Sequence, residues 1–321
     1  MSDINLIPFA KPIISSEEKS AIAEVLEQHV LTHGPRCTAF ERKFADFIGV
    51  KHAITTSSCT TALHLGLSAA GIGSGDEVIL PAQTHVATAH AIEYCGAKPV
   101  FIDVSEITGN IDASKIEKSI TKKTKAILVV HYVGPPCPMH TIQEIASKHK
   151  LLIFEDCAIS LGAQTKNKNT GSFGLAGCFS FYPSKHITTM EGGMLVTDND
   201  NFARLVRTKR AFGYDKTLED RKIPGIYDIK MLGYNYRMSE VQAAMGAVQL
   251  EKIQNFLKLR FRNSNIIADH LIDTKGLHIL PFSHKEEISS RYCVNVVLNN
   301  DSGLQRDQLI LKLKENNIGS S

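Results

Sequence analysis

What most constrains this chain is a series of short runs rich in Val, Ile and Leu that alternate with helical patterns between His52 and Phe154. Strands are expected at His52 to Thr56, Glu77 to Leu80, Lys98 to Ile102, Ala126 to His131 and Leu151 to Phe154. Helices are expected at Thr60 to Ala70, Thr84 to Tyr94 and Thr141 to Lys148. Strand-sized runs that are apolar on successive residues need cover on both faces, and helical crossovers return the chain to the sheet in parallel. The expected class is therefore α/β: a mainly parallel sheet flanked by helices, with ligands beyond the carboxyl ends of its strands.

Two amphipathic helices precede this region, Ser15 to Gln28 and Cys37 to Ile48. The first is announced by Ser15 with Glu17 and Glu18 in its opening turn. Beyond about Met238 the pattern changes. Residues 239–271 read as one long helix, Arg291 to Leu298 as a strand and Arg306 to Lys314 as a helix. At 321 residues the chain is long enough for about two domains of the usual ~150. A large domain over 1–240 and a smaller α+β unit over 241–321, joined by the long helix, fit that length.

Composition removes several classes of function. Thirty-six basic residues against 33 acidic ones give a net charge of +3 with no Lys/Arg block, which speaks against a nucleic-acid binder. No apolar run approaches the ~18–20 residues of a membrane span, and charges and prolines interrupt residues 1–19 before an export signal can form. The seven cysteines are scattered, odd in number and free of any C-x-x-C pair, as in reduced cytoplasmic proteins. Gly71, Gly73 and Gly75 follow a helix and precede a strand, the reverse of a dinucleotide-binding turn. The sequence holds no Walker A, HExxH or G-x-S-x-G motif and no zinc-spaced His/Cys group, so no metal site is expected.

Three segments carry chemistry. Thr55 to Leu63 runs from strand to helix through hydroxyl residues, joining free N–H groups to the positive end of a helix; this suits a phosphate, although an ordinary helix cap is the commoner reason for such residues and the reading this segment alone favours. Asp156 follows a buried apolar strand, where a carboxylate can meet a ring N–H, hold magnesium or simply cap a turn. Lys185 stands after a β-rich run, amid hydroxyls and before Gly192 and Gly193. Lysines are ordinarily surface cations, yet aromatic and apolar neighbours can desolvate this one, as an amine nucleophile toward an aldehyde requires.

These segments, together with PFAKPIISSEE, LTHGPRCTAFERKFADFIGV, GSGDEVILPAQTHVATAHAIEYCGAKPVFIDV, FEDCAISLGA, FSFYPSKHITTMEGGMLVTD and GYNYRMSEVQAAMGAVQLEKI, resemble the DegT/DnrJ family of sugar aminotransferases. The resemblance implies the aspartate-aminotransferase-like fold (fold type I), with the N-terminal segment packing on the small domain, and pyridoxal 5'-phosphate (PLP) as cofactor. It implies that Lys185 is the Schiff-base lysine and proton carrier, and that Asp156 is the partner of the pyridine nitrogen. Thr60, Thr61 and Ser180 match phosphate-binding positions, His85 the position of a ring stacked on the cofactor, and Asn235 an asparagine that reaches the neighbouring subunit's phosphate. A homodimer with shared active sites follows from Asn235. Thr32, His33, Gly34 and His186 lie at acceptor-side positions.

The sequence departs from the family pattern in two places. Ile159 stands where many members have Gln or His, and the chain stops at Ser321 where similar proteins continue into a His/Tyr/Pro-rich segment, so the small domain is expected to be incomplete. The implied reaction moves an amino group from an amino acid, L-glutamate foremost, to a keto-sugar nucleotide, in amino-sugar or polysaccharide biosynthesis. Two rivals stand beside it: a PLP-dependent sugar dehydratase, against which Lys185 argues because that sideline has histidine there, and a truncated relative with a structural or regulatory role.

Overall fold

The computed structural model describes residues 6–32, 34–215, 223, 225–283 and 286–321. Its centre is a seven-stranded sheet made of β1 (His52–Thr56), β2 (Glu77–Pro81), β3 (Lys98–Ile102), β4 (Thr124–Val130), β5 (Leu152–Asp156), β6 (Ala176–Ser180) and β7 (Gly193–Thr197). The order across the sheet is β1-β7-β6-β5-β4-β2-β3. Strands β6, β5, β4, β2 and β3 pair in parallel, while β7 runs antiparallel to both β6 and β1. The sheet is α/β and mainly parallel, as its alternating pattern predicts, and β7 is the reversed strand that the pattern does not reveal.

Successive strand residues point alternately into two buried clusters, which explains the unbroken apolar runs. Val78, Leu80, Leu128 and Phe154 face one buried cluster, with Leu63 and Leu67 of α3 (Cys59–Ala69); Ile79, Ile127, Val129 and Ile153 face another, with Met139 and Ile142 of α6 (Met139–His149). A third cluster sets Phe40 and Phe44 of α2 (Pro35–Ile48) against Phe179 and Phe181, their rings 5.0–5.6 Å apart for Phe44. Helices α1 (Ser16–Leu26), α4 (Val86–Glu93), α5 (Ala113–Ile116) and α7 (Asp200–Arg210) complete the surrounding layer.

The long helix expected over 239–271 is two helices, α8 (Glu240–Glu251) and α9 (Ile253–Leu271), that break at Lys252. Lys252 N–H bonds to Gln249 O in a three-residue turn, and its side chain swings toward α1, donating to Glu18 at 2.8 and 3.0 Å, to Ser15 Oγ at 2.6 Å and to Glu17. Burial pushes the Glu18 carboxyl up, but hydrogen bonds from Lys252, Ser15 and Gln249 outweigh it and hold the group down at about 2. Helix-interior hydrogen bonding yields here to a polar knot with α1.

Beyond α9 a short antiparallel pair, Leu277–Ile279 with Val296–Leu298, leads to α10 (Arg306–Glu315). The strand expected from Arg291 is therefore regular only over its last three residues, because 290–292 is turned toward the sheet edge. Ile7 pairs with Ile318, tying the first described residues to the last ones. Among the described residues no helix is long and apolar enough to cross a membrane.

Candidate active site

The carboxyl ends of the parallel strands meet at one edge of the sheet. Register places Thr56, Gly193 and Ser180 side by side across β1, β7 and β6, and sets Asp156 beside Cys178 and Val130. Helix α3 starts directly above this row. A Cβ added to Gly193 would lie 2.4 Å from Ser58 C and 2.6 Å from Cys59 N, so only glycine lets the strand pass beneath the helix start.

Ser58 caps α3, its Oγ accepting from Thr61 N–H at 3.1 Å, while Thr61 Oγ1 accepts from Ser58 N–H at 3.0 Å. Among the described residues nothing accepts from the N–H groups of Cys59 and Thr60, which present the positive end of the helix to the crevice. Thr60 is half-buried, and Thr61 is engaged in the cap. Ser180, at the end of β6, is also half-buried.

Asp156 is buried at 5% exposure and held from two sides: Thr88 Oγ1 donates to Oδ2 at 2.8 Å, and Ala158 N–H donates to Oδ1 at 3.0 Å. Thr88 belongs to the first turn of α4, whose cap is His85; the exposed imidazole accepts from Ala87 N–H through Nδ1 at 3.2 Å. Lys185 is half-buried in the turn after β6, its ammonium 5.0 Å over the ring of Tyr292.

These pieces surround one buried thiol. Cys59, at the first position of α3, is pushed far up by burial; the negative charge of Asp156 adds to the shift and the positive charge of Lys185 opposes it. The carboxylate, the amine and the helix start thus act on a single group. This arrangement fits PLP: unpaired amides for its phosphate, a fixed carboxylate for its ring nitrogen, and an amine for its aldehyde.

Asn235 is exposed. It stands between Tyr234 and Tyr236, whose rings stack 4.8 Å apart; Tyr236 bonds to His64 through its hydroxyl at 3.0 Å and accepts from Ser57 N–H through its carbonyl. The tyrosines therefore pin the segment and leave the asparagine pointing outward. Thr32 and Gly34 abut the start of α8, Thr32 bridging Ser239 and Gly34 sitting under Glu240. His33 lies outside the described residues. His186 is buried at 4% exposure and donates Nε2–H to Ser290 O at 3.0 Å; burial and the adjacent charges of Arg260 and Lys185 hold it down at about 3, a neutral tether rather than an exposed acceptor-side group.

A buried trio of potential metal donors, His131, Glu155 and Cys157, does assemble although its spacing in sequence is unlike a zinc motif. Its donor atoms are engaged by the protein: Glu155 accepts from the N–H groups of Gly171, Phe173 and Gly174 and bonds to His131, whose Nδ1 accepts from Cys137 N–H. The trio anchors the turn between β5 and β6.

Sequence reasoning missed Thr88, Tyr292 and Arg260. Thr88 had a signal, since it falls one turn after His85 on the same helix face; Tyr292 and Arg260 had none, because their contacts join distant parts of the chain.

The model of the DegT/DnrJ/EryC1/StrS aminotransferase family matches residues 12–321. The chain belongs to that family. It is similar to GDP-perosamine synthase of Caulobacter vibrioides, 43% identical over 263 residues that cover 82% of this chain and 69% of the relative. The aminotransferase TlmJ from Streptoalloteichus hindustanus superposes with a TM-score of 0.92 at 29% identity, covering 98% of this chain and 84% of that one. A GDP-4-keto-6-deoxymannose-3-dehydratase superposes with a TM-score of 0.89 at 31% identity, covering 96% and 83%. The family member described here is an enzyme of the PLP-dependent sugar aminotransferase class.

Proposed function

We propose that this aminotransferase moves the amino group of L-glutamate, by way of PLP, to the carbonyl carbon of a keto-sugar nucleotide, within a cytoplasmic homodimer serving amino-sugar or polysaccharide biosynthesis. The carrying observation is the convergence at one end of the sheet, where Asp156 closes β5, Lys185 lies in the turn after the adjacent β6, and α3 starts over Gly193 of β7. When bound, PLP supplies an aldehyde that takes up an amino group and a ring that draws electrons from the neighbouring carbon.

The chain's own groups then have distinct tasks. Lys185 Nζ would hold PLP at its aldehyde and, when released, would be the amine that holds or gives up the proton exchanged with the reacting carbon. Asp156, held in place by Thr88 and Ala158, keeps a proton on the ring nitrogen. The amides of Cys59 and Thr60, with the hydroxyls of Thr60 and Ser180, receive the phosphate, and Thr61 holds the cap that presents them. His85 would offer its ring to the cofactor face, and Asn235 would reach the partner's phosphate. Residues 1–240 carry this machinery and 241–321 close it.

Exposed Leu232 (79%), Ile226 (61%) and Tyr94 (61%) lie in or beside the elements that hold Asn235, which supports a second copy covering that face. Seven free cysteines support a reducing compartment.

The relatives' names make GDP-4-keto-6-deoxymannose the first acceptor to test, with L-glutamate and PLP, by mass spectrometry of the sugar nucleotide. The expected product has its carbonyl oxygen replaced by an amine, with one 2-oxoglutarate formed per amine. A product that has lost a hydroxyl but kept its carbonyl, with ammonia released and one 2-oxoglutarate formed per hydroxyl lost, would instead assign dehydration, the reading favoured by the dehydratase superposition and opposed by Lys185. A soluble protein that turns over no acceptor would point to the structural role.

A further inference from the structure

Three consecutive residues of the turn that carries Lys185 touch the 290–292 segment. Ser184 Oγ and the Tyr292 hydroxyl lie 3.3 Å apart, the Lys185 ammonium stands 5.0 Å over the Tyr292 ring centroid, and His186 Nε2 donates to Ser290 O at 3.0 Å. Arg260, on α9, joins the two segments by donating to Tyr292 O at 2.8 Å and to Lys185 O at 3.4 Å. Gly134 lets the 290 segment approach: at φ +118, with a Cβ that would fall 2.7 Å from Ser289 Oγ and 2.9 Å from Arg291 N, it accepts from Ser290 N–H.

Tyr292 is therefore held over Lys185 by its hydroxyl, its carbonyl and the neighbouring Ser290. Among the described residues Lys185 Nζ has no hydrogen bond and no ion pair, so the ring face is the partner that this structure gives the ammonium.

We propose that Tyr292 is a positioning residue for Lys185, its ring being the resting place of the lysine ammonium whenever that amine is not bonded to the cofactor. The proposal rests on the reading of Lys185 given above. An aromatic face attracts an ammonium through its quadrupole, and a tethered lysine samples fewer rotamers than a loose one, so it stays within reach of the cofactor. A contact made only in the released state also shifts the equilibrium toward release, by as much as the contact is worth. Tyr292 thereby helps an incoming amino donor displace the lysine.

The test compares wild type with Tyr292→Leu, which removes the ring, and Tyr292→Phe, which keeps it. Tyr292→Gln carries the same expectation as Leu should the Leu variant fail to fold. In the full chain without cofactor, the rate at which trinitrobenzenesulfonate labels Lys185 is read by mass spectrometry of its peptide. With PLP bound, the L-glutamate concentration that half-bleaches the visible band is read by absorbance. Removing the ring is expected to speed labelling about threefold to tenfold and to raise the half-bleaching concentration by a similar factor, with Phe restoring both. Labelling and half-bleaching equal to wild type in the folded Leu or Gln variant would overturn the proposal. A wild type that forms no visible band with PLP would instead sink the reading of Lys185, while the labelling rates would still decide whether the ring holds the amine.

Discussion

At the scale of single residues, the site depends on groups that are fixed before any ligand arrives. Thr88 gives Asp156 a hydroxyl donor at 2.8 Å inside a buried crevice, where a hydrogen bond to a charged group is worth about 1.5–3 kcal/mol. Thr88→Val is therefore expected to weaken PLP binding by about tenfold, measured by titration of the cofactor's absorbance, with little change in melting temperature. Gly193→Ala acts by sterics: its Cβ would meet backbone atoms of Ser58 and Cys59 at 2.4–2.6 Å, and backbone cannot step aside as a flexible side chain can. Loss of cofactor binding and a lower melting temperature are expected together, and a variant that binds PLP like wild type would contradict the close approach. The places of Lys185 and Asp156 at or after β-rich runs were legible in the sequence, while the roles proposed for them entered through the resemblance. Tyr292 was not, because a ring far along the chain gives no local sign of where it will lie.

At the scale of elements, α1 is locked to the break between α8 and α9. Glu18 is fully buried, and it bonds to Ser15 N–H, to Lys252 and to Gln249 Nε2, which also donates to Ile13 O; Gln249 Oε1 accepts from Thr188 N–H in the loop that follows Lys185. With a folded pKa of about 2 against 4.5 unfolded, Glu18 stabilises the fold above pH 4.5, and that contribution is lost as pH falls from 4.5 through 2. His186, at about 3 against 6.5, is depressed by burial, so the unfolded chain takes up its proton first. Its neutral form stabilises above pH 6.5, and that contribution is lost between 6.5 and 3. Melting temperature is thus expected to fall on acidification, with His186→Asn flattening the curve between pH 6.5 and 4.5 and Glu18→Gln flattening it below 4.5. Parallel curves for wild type and both variants would refute these assignments. Helix and strand periods were legible wherever the pattern was long, as in the five strands between His52 and Asp156. The reversed β7 and the break at Lys252 were not, since direction and bending are decided by tertiary partners such as Glu18.

At the scale of the whole molecule, the claim is of two chains that complete each other's sites. Exposed Asn235, held outward by the stacked Tyr234 and Tyr236, belongs in this account to the partner's cofactor. Lys185→Ala and Asn235→Ala chains, each inactive alone, are expected on mixing and reassociation to recover about a quarter of wild-type activity, because half the dimers are mixed and each has one intact site. No recovery, despite mixed dimers seen by native mass spectrometry, would place Asn235 outside the shared site. The α/β class was readable from alternation alone, whereas pairing across a subunit boundary leaves no periodic trace and entered only through the resemblance. The central claim, that Lys185 holds PLP and yields it to an amino donor, is tested most directly by the visible spectrum of the PLP-loaded chain before and after L-glutamate, beside Lys185→Ala. The account predicts a band in the wild type that glutamate bleaches and that the variant does not form; the same band, bleached alike, in the variant would contradict it.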